Sequence, residues 1–164
     1  MRYEVVTPGA FNSISLADAR LQIREPSNIT AEDDLITSYI EAVDSVIERK
    51  TNRVIATSTW RGHIDDWPKG DVIYVNKFPV TSVDSVKYYD GDNVLQTMST
   101  SDYIVDTVGE VTRIYLEETP SIKTRPNAVQ VNFTAGYATQ AAVDPKIQQI
   151  ARLLVADYKS NRTD

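Results

Sequence analysis

The chain of 164 residues contains no cysteine. That absence excludes thiol nucleophiles, cysteine-ligated zinc and a disulfide framework. It is compatible with assembly in a reducing cytoplasm. Histidine occurs once, at His63, too few for the usual multi-histidine metal cluster. No run of about 18 apolar residues exists, so no helical membrane span is expected. The opening stretch MRYEVVTPGAFNS has no apolar core of signal-peptide length, and no secretory leader is expected in it. The sequons at Asn28, Asn132 and Asn161 therefore carry no glycosylation argument. Bases are outnumbered by acids, 17 to 23, for a formal charge of −6. The densest basic group, Arg49, Lys50 and Arg53, is not a stripe. Sequence-independent DNA binding needs many Lys and Arg on phosphates, so a tight grip on DNA is not expected, although DNA could still slide past.

The missing motifs narrow matters further. The phosphate-binding, dinucleotide-binding, nucleophile-elbow and zincin patterns do not occur. His63 in TWRGHIDD has no accompanying nucleophile, and reads as a surface or half-buried strand histidine. Asp65 and Asp66 are strand neighbours and point to opposite faces, which rules them out as a glycosidase pair. Asp90-Gly91-Asp92-Asn93 lacks the spacing and distal Glu of a calcium loop and reads as a tight hairpin turn. No enzyme, cofactor or metal is expected.

What is present is ordinary globular composition, with 41% hydrophobic and 24% charged residues. A chain this long buries roughly two-thirds of its unfolded surface without a staple. SLADARLQIR reads as a short helix, with Ser15 capping and Asp18 three residues on. Leu16, Ala19 and Ile23 share one face. After Pro26, Thr30 is the expected cap of a long helix, whose start is acidic at Glu32, Asp33 and Asp34. At about 100° per residue, Leu35, Ile36, Tyr39, Ile40, Val43, Val46 and Ile47 form a stripe roughly 140° wide. Asp34, Glu41, Asp44 and Glu48 lie on the opposite side. From Val54 the texture is that of strands, separated by turns at Trp67-Pro68-Lys69-Gly70, Asp90–Asn93 and Val108-Gly109-Glu110. Asp144-Pro145 opens a last helix, with Ile147, Ile150, Ala151, Leu154, Val155 and Tyr158 on its apolar face. Leu153 falls outside that face, either singly exposed or part of a second contact.

The expected architecture is α+β. N-terminal and C-terminal helices form a small bundle over 15–53 and 144–162, with an antiparallel β-rich lobe at 54–137 inserted in a single domain, 1–164. The bundle core is expected from Leu35, Tyr39, Val43 and Ile47 against Ile147, Ile150, Leu154 and Tyr158. Tyr88 and Tyr89 are candidate exposed aromatics, at most one of them in the core. The loop YATQAAV, from Tyr137, reads either as a connector or as a subunit contact.

The order of landmarks resembles a known family. SLADARLQIR, AEDDLITSYIEAVDSVIERKTNR, STW, KFPVTSVDSVKYYD with its spaced valines, NAVQVNFTAGY and VDPKIQQIARLLVADYKSNR follow one another as in the head–tail connector (adaptor, or head-completion) proteins of tailed bacteriophages. The match is to the version with a β insertion between helices. It runs from about Ser15 to Arg162 and rests on the collinear set rather than on one motif. Ile23 stands where a Leu is expected and Arg20 where Lys is common.

The resemblance implies a non-enzymatic virion protein that forms a ring of twelve copies beneath the portal, in the virion head–tail junction after assembly in the host cytoplasm. It implies the portal and the next tail-side connector as partners, with DNA only as passing cargo. Under that implication Asp34, Glu41, Asp44 and Glu48 are either channel-facing or merely solvated, and Tyr137, Ala138 and Leu153 are candidate subunit contacts. Alternative readings are a neighbouring tail-completion or terminator protein, or a soluble β-rich ligand-binding module.

Overall fold

A computed structural model describes residues 1–26, 28 and 30–161. The sequon positions Ile29 and Thr163, and Arg162 at the end of the expected last helix, lie outside the described residues. The fold is α+β, with three α-helices and eight strands among the described residues. The chain divides into two compact units. One, the β unit, comprises Met1–Pro8 and Thr57–Gly136; the other, the helical unit, comprises Gly9–Ala56 and Tyr137–Asp164.

In the helical unit, α1 (Leu16–Ile23) opens with a complete capping box. Ser15 Oγ accepts from the Asp18 backbone N–H at 3.0 Å, and the Asp18 carboxylate accepts in return from the Ser15 backbone. The Ser15 hydroxyl, first among several donors, holds the Asp18 carboxyl below its ordinary range. The second helix, α2 (Asp33–Thr51), starts later than expected. Glu32, not Thr30, is its cap residue, and no side-chain bond closes it. Thr30 instead accepts the Asp33 N–H through its carbonyl, in a turn before the helix. The third, α3 (Pro145–Ser160), begins as expected, with Asp144 accepting from the Lys146 N–H at 2.9 Å.

The core of this unit joins Ile14, Ala19, Ile36, Ile40, Val43 and Ile47 to Val143, Ile147, Ala151 and Val155. Leu35, Tyr39, Leu154 and Tyr158 are half-buried, and the last three pack against it. Tyr39 and Tyr158 meet edge-to-face, with ring centroids 6.1 Å apart. Two expectations fail here. Asp44 is 8% exposed rather than solvated, and Ile150 is 48% exposed rather than core. One cause covers both. The buried line of each helix is rotated about 30–40° from the centre of its sequence stripe, taken at about 100° per residue. On α2 the rotation draws Asp44 under the segment before α1, where its carboxylate accepts from the Ser13 N–H at 2.8 Å and from the Ser13 hydroxyl. On α3 it swings Ile150 out to solvent.

Among the described residues, four ion pairs tie α1 and the segment after it to the other helices: Arg20 with Asp33, Arg152 with Asp18, and Lys159 with both Glu25 and Glu32. Where the two segments of the unit meet, Ala56 bridges Tyr137, and a Cβ on Gly9 would stand 2.4 Å from the Ala56 Cβ. Only glycine permits that approach.

The β unit holds two antiparallel sheets. The first has the order β1 (Arg2–Thr7), β2 (Ser58–Ile64), β8 (Val129–Ala135), β4 (Val80–Tyr89), β5 (Leu95–Thr97). The second has the order β3 (Val72–Val75), β7 (Thr112–Leu116), β6 (Tyr103–Asp106). Strand β8 alternates strictly: Val129, Val131, Phe133 and Ala135 are buried, while Gln130, Asn132 and Thr134 are not. Strand β4 carries Val80, Val83 and Val86 three residues apart, a spacing a regular strand cannot keep on one face. Their partners Ala135, Phe133 and Val131 are only two apart. A register shift between each pair of valines absorbs the extra residue and returns all three to the buried side of β8.

Asp44 gives a stability test. Desolvation raises its carboxyl above the ordinary range, against the two Ser13 donors, which lower it. A carboxyl raised in the folded state binds its proton more tightly there than in the unfolded chain, so ionising it on the way to neutral pH costs stability. Asp44→Asn keeps an acceptor for the Ser13 N–H and adds a donor for its hydroxyl. At neutral pH, urea unfolding is expected to find Asp44→Asn at least as stable as the parent, with the difference shrinking as pH falls toward the usual carboxylate range. Asp44→Ala, which strands both Ser13 donors, is expected to cost about 1–3 kcal/mol.

Candidate interaction surfaces

Among the described residues, no three His, Asp or Glu side chains come together as a metal site. The polar outer face of the five-stranded sheet accounts for His63. Its Nε2 lies 3.2 Å from Glu4 Oε2 across the β1–β2 pair, and Arg61 lies 3.8 Å from the same oxygen. Arg61 also donates to Asn132 at 2.9 Å, and Asn132 to Ser85. This is a cross-strand polar ladder that runs from Glu4 to the Ser85 hydroxyl. Asp65 accepts from Arg2 and from the Asn127 N–H; Asp66 accepts from the Trp67 N–H. The Asp90 carboxylate closes the β4–β5 turn by accepting from Gln96, Val94 and Asp92, and these bonds, Gln96 foremost, hold it below its ordinary range.

Of the four acids on the far side of α2, Asp34 and Glu41 are exposed. Asp44 is the buried carboxylate already described. Glu48 is half-buried and accepts the Ile55 N–H at 2.7 Å, so it holds the chain where it leaves the helix. Tyr137 donates its N–H to the Ile55 carbonyl and packs on the helical core, whereas Ala138 is exposed. Tyr88 and Tyr89 are both half-buried. Tyr88 lies against Trp67, whose Nε1–H donates to the Pro120 carbonyl, and Tyr89 lies beneath the Arg125 guanidinium at 3.8 Å. Neither is an exposed aromatic.

Among the described residues, apolar side chains stand in water at Val5 and Val6 of β1, at Val94 and Leu95 of the β4–β5 turn, and in three further places. The helical unit has a groove of about 400 Å³ between α2 and α3, with Val46, Ile150 and Leu154 on its walls and Lys50, Arg53 and Lys146 around it. Leu153, 53% exposed, lies on the same helix as Ile150. On the other side of that unit's inventory, α1 presents Leu16, Ala17 and Leu21, the last 80% exposed. The β unit presents one face of its three-stranded sheet. There Ile104, Tyr115 and Val72 form a cross-strand row beside Tyr74, Arg113 and Asp106. Ile104, Tyr115 and Tyr74 are exposed. The β6–β7 turn prolongs that surface with Val108, 82% exposed, and Val111. Contiguous exposed apolar patches rimmed by charge mark interaction sites.

No family model matches the chain, and no curated protein sequence does. Solved structures do. A chain in the virion of a native gene transfer agent particle is 25% identical, with a TM-score of 0.85 over 100% of this chain and 87% of that one. A chain in the neck of an empty gene transfer agent particle, computed with C6 symmetry, is 24% identical with a TM-score of 0.82. It is covered over 86% of its length. A chain in the neck of a native particle, computed with C12 symmetry, is 22% identical with a TM-score of 0.75, again over 100% of this chain and 86% of that one. The chain shares its fold with components of phage-like particles and their necks. The likeness takes in both units, including β1, for which the sequence offered only a short exposed Val5-Val6 pair.

The exposed α3 residues are separable from the core next to them. Ile150→Gln and Leu153→Gln are each expected to change unfolding free energy by less than about 0.5 kcal/mol. Ile147→Ala, one turn away, is expected to cost about 2–5 kcal/mol by urea titration.

Proposed function

We propose that this chain is a non-enzymatic structural protein of a virion, placed at the neck between head and tail. There it forms a ring beneath the portal, extends the DNA channel and offers a docking surface to the next tail-side component. The observation that carries the reading is the end-to-end likeness to gene transfer agent particle chains, at a TM-score of 0.85 and 25% identity over the whole chain. The C6 and C12 symmetries of the particle necks favour a ring of twelve copies, or one compatible with six-fold symmetry. Two features of the chain itself support it. Unlike apolar patches on one subunit are what head-to-tail association around a rotation axis requires. A formal charge of −6 suits a passage through which DNA slides without sticking.

Asp34 and Glu41 are the acids of α2 that remain free to face such a channel in this reading; Asp44 and Glu48 are occupied by the chain's own backbone and hydroxyls. Ala138 and Leu153 remain subunit-contact candidates, and Tyr137 contributes to them mainly by holding the loop in place.

The full chain, alone and mixed with the portal protein of its own particle, is the test material. Native mass spectrometry and negative-stain microscopy are expected to find a closed ring with a central opening, and cryo-microscopy of tailed particles to find it at the neck. A chain that stays monomeric with its portal and is missing from neck density overturns the proposal. The Asp34→Lys, Glu41→Lys double variant is expected to slow DNA ejection from assembled particles. Unchanged ejection kinetics would remove these two acids from the channel wall while leaving the ring intact.

A further inference from the structure

We infer that the β6–β7 hairpin of one copy seats in the α2–α3 groove of the next copy, making this pair the lateral contact of the ring. The inference rests on the ring reading and specifies which surfaces meet.

The hairpin has the form of a knob. Its turn is made tight by Gly109, at φ +95°, and by the Asp106 carboxylate, which accepts the Val108 N–H at 2.9 Å. Residues 107–111 are all exposed, and Ile104 and Val105 continue the apolar surface down β6. Val108 and Ile104, the most exposed apolar side chains of the hairpin, lie largely in water and add little to the stability of the β unit. Burying them elsewhere would contribute about 25 cal/mol per Å² of apolar surface. The groove has the form of a hole. Val46, Ile150 and Leu154 give it apolar walls, and Lys50, Arg53 and Lys146 outnumber Asp144, the one acid lining it, so its rim is positive on balance.

Charge selects the occupant. The hairpin brings an acid, Glu110, beside Val108 and Val111, and its one base, Arg113, is paired with Asp106. The other apolar patch of the helical unit, on α1, has its Arg20 paired with Asp33 and its Glu25 paired with Lys159, which leaves the exposed Arg24 beside it. Against the basic rim of the groove it is the poorer fit. A knob and a hole of different shape and opposite charge on each subunit make a heterologous contact, which does not stop at a dimer and forms a ring where the rotation closes. A groove that met its own copy would set Lys50 and Lys146 against Lys50 and Lys146.

Because the chain has no cysteine, introduced thiols report this contact on a clean background. The full-length double variant Val108→Cys, Ile150→Cys, oxidised under conditions of ring assembly with the portal, is expected to give an SDS-stable ladder extending beyond dimer. Each single variant is expected to stop at dimer or below. Both positions are exposed, and circular dichroism of the reduced proteins checks that the fold is kept. Independently, Glu110→Lys is expected to weaken assembly roughly two- to fivefold, the range of an exposed ion pair, with Lys146→Glu restoring it in the double variant. Rings without a ladder would overturn the contact while leaving the ring reading intact. Abundant dimers from Ile150→Cys alone, with no longer species, would assign the groove to a two-fold pairing and overturn it too. Neither rings nor ladder with the portal present would overturn both.

Discussion

One packing constraint governs the helical unit: the amphipathic rod α2 must bury one side, and α1 alone is too short to cover it. The missing cover is α3, some hundred residues further along the chain. Ile147, Ala151 and Val155 supply it by closing on Ile40, Val43 and Ile47. Alanines at 19 and 151, both fully buried, allow the helices to approach closely. Each fully buried Val or Ile there contributes roughly 1.5–3 kcal/mol. With that closure made, the ion pairs from Arg20, Arg152 and Lys159 need only orient α1, which is what partly exposed pairs do well.

Much of this was legible in the sequence, because a long apolar stripe and a Pro-opened helix are strong periodic signals. The alternation of Val129, Val131 and Phe133 was equally plain. What escaped depended on partners distant in the chain. The rotation that buries Asp44 and exposes Ile150 is a property of how three helices fit, and no single helix encodes it. Strand β1 has only Val5 and Val6 to announce it, and its place is set by pairing with β2, more than fifty residues away. The start of α2 was misjudged for a local reason. Thr30 is a better cap by type, but its carbonyl is used in a turn before the helix begins. The candidate surfaces were half legible. Leu153 stood out because it fell outside the stripe, while the exposed face of the three-stranded sheet depended on knowing which of two sheets its strands join.

The functional reading has the same shape. Among the described polar groups, His63 sits in a cross-strand ladder and Asp90 in a turn. The unusual chemistry is apolar and lies outside, on α1, on α3 and on the β6–β7 hairpin. A molecule with this much greasy surface left in water is suited to contact with other proteins.

The chain crosses between its two units at Gly9, Thr57 and Tyr137, so neither is continuous in sequence. During synthesis, α2 leaves the ribosome well before the segment that will cover it, and its greasy side waits while the whole intervening sheet structure is made. Contacts of such long sequence separation are slow to form and leave the young chain open to misassociation. The helical unit is therefore the last part to be finished although its first helices are among the earliest made, and the completion of α3 is the step that commits a newborn subunit to its mature form.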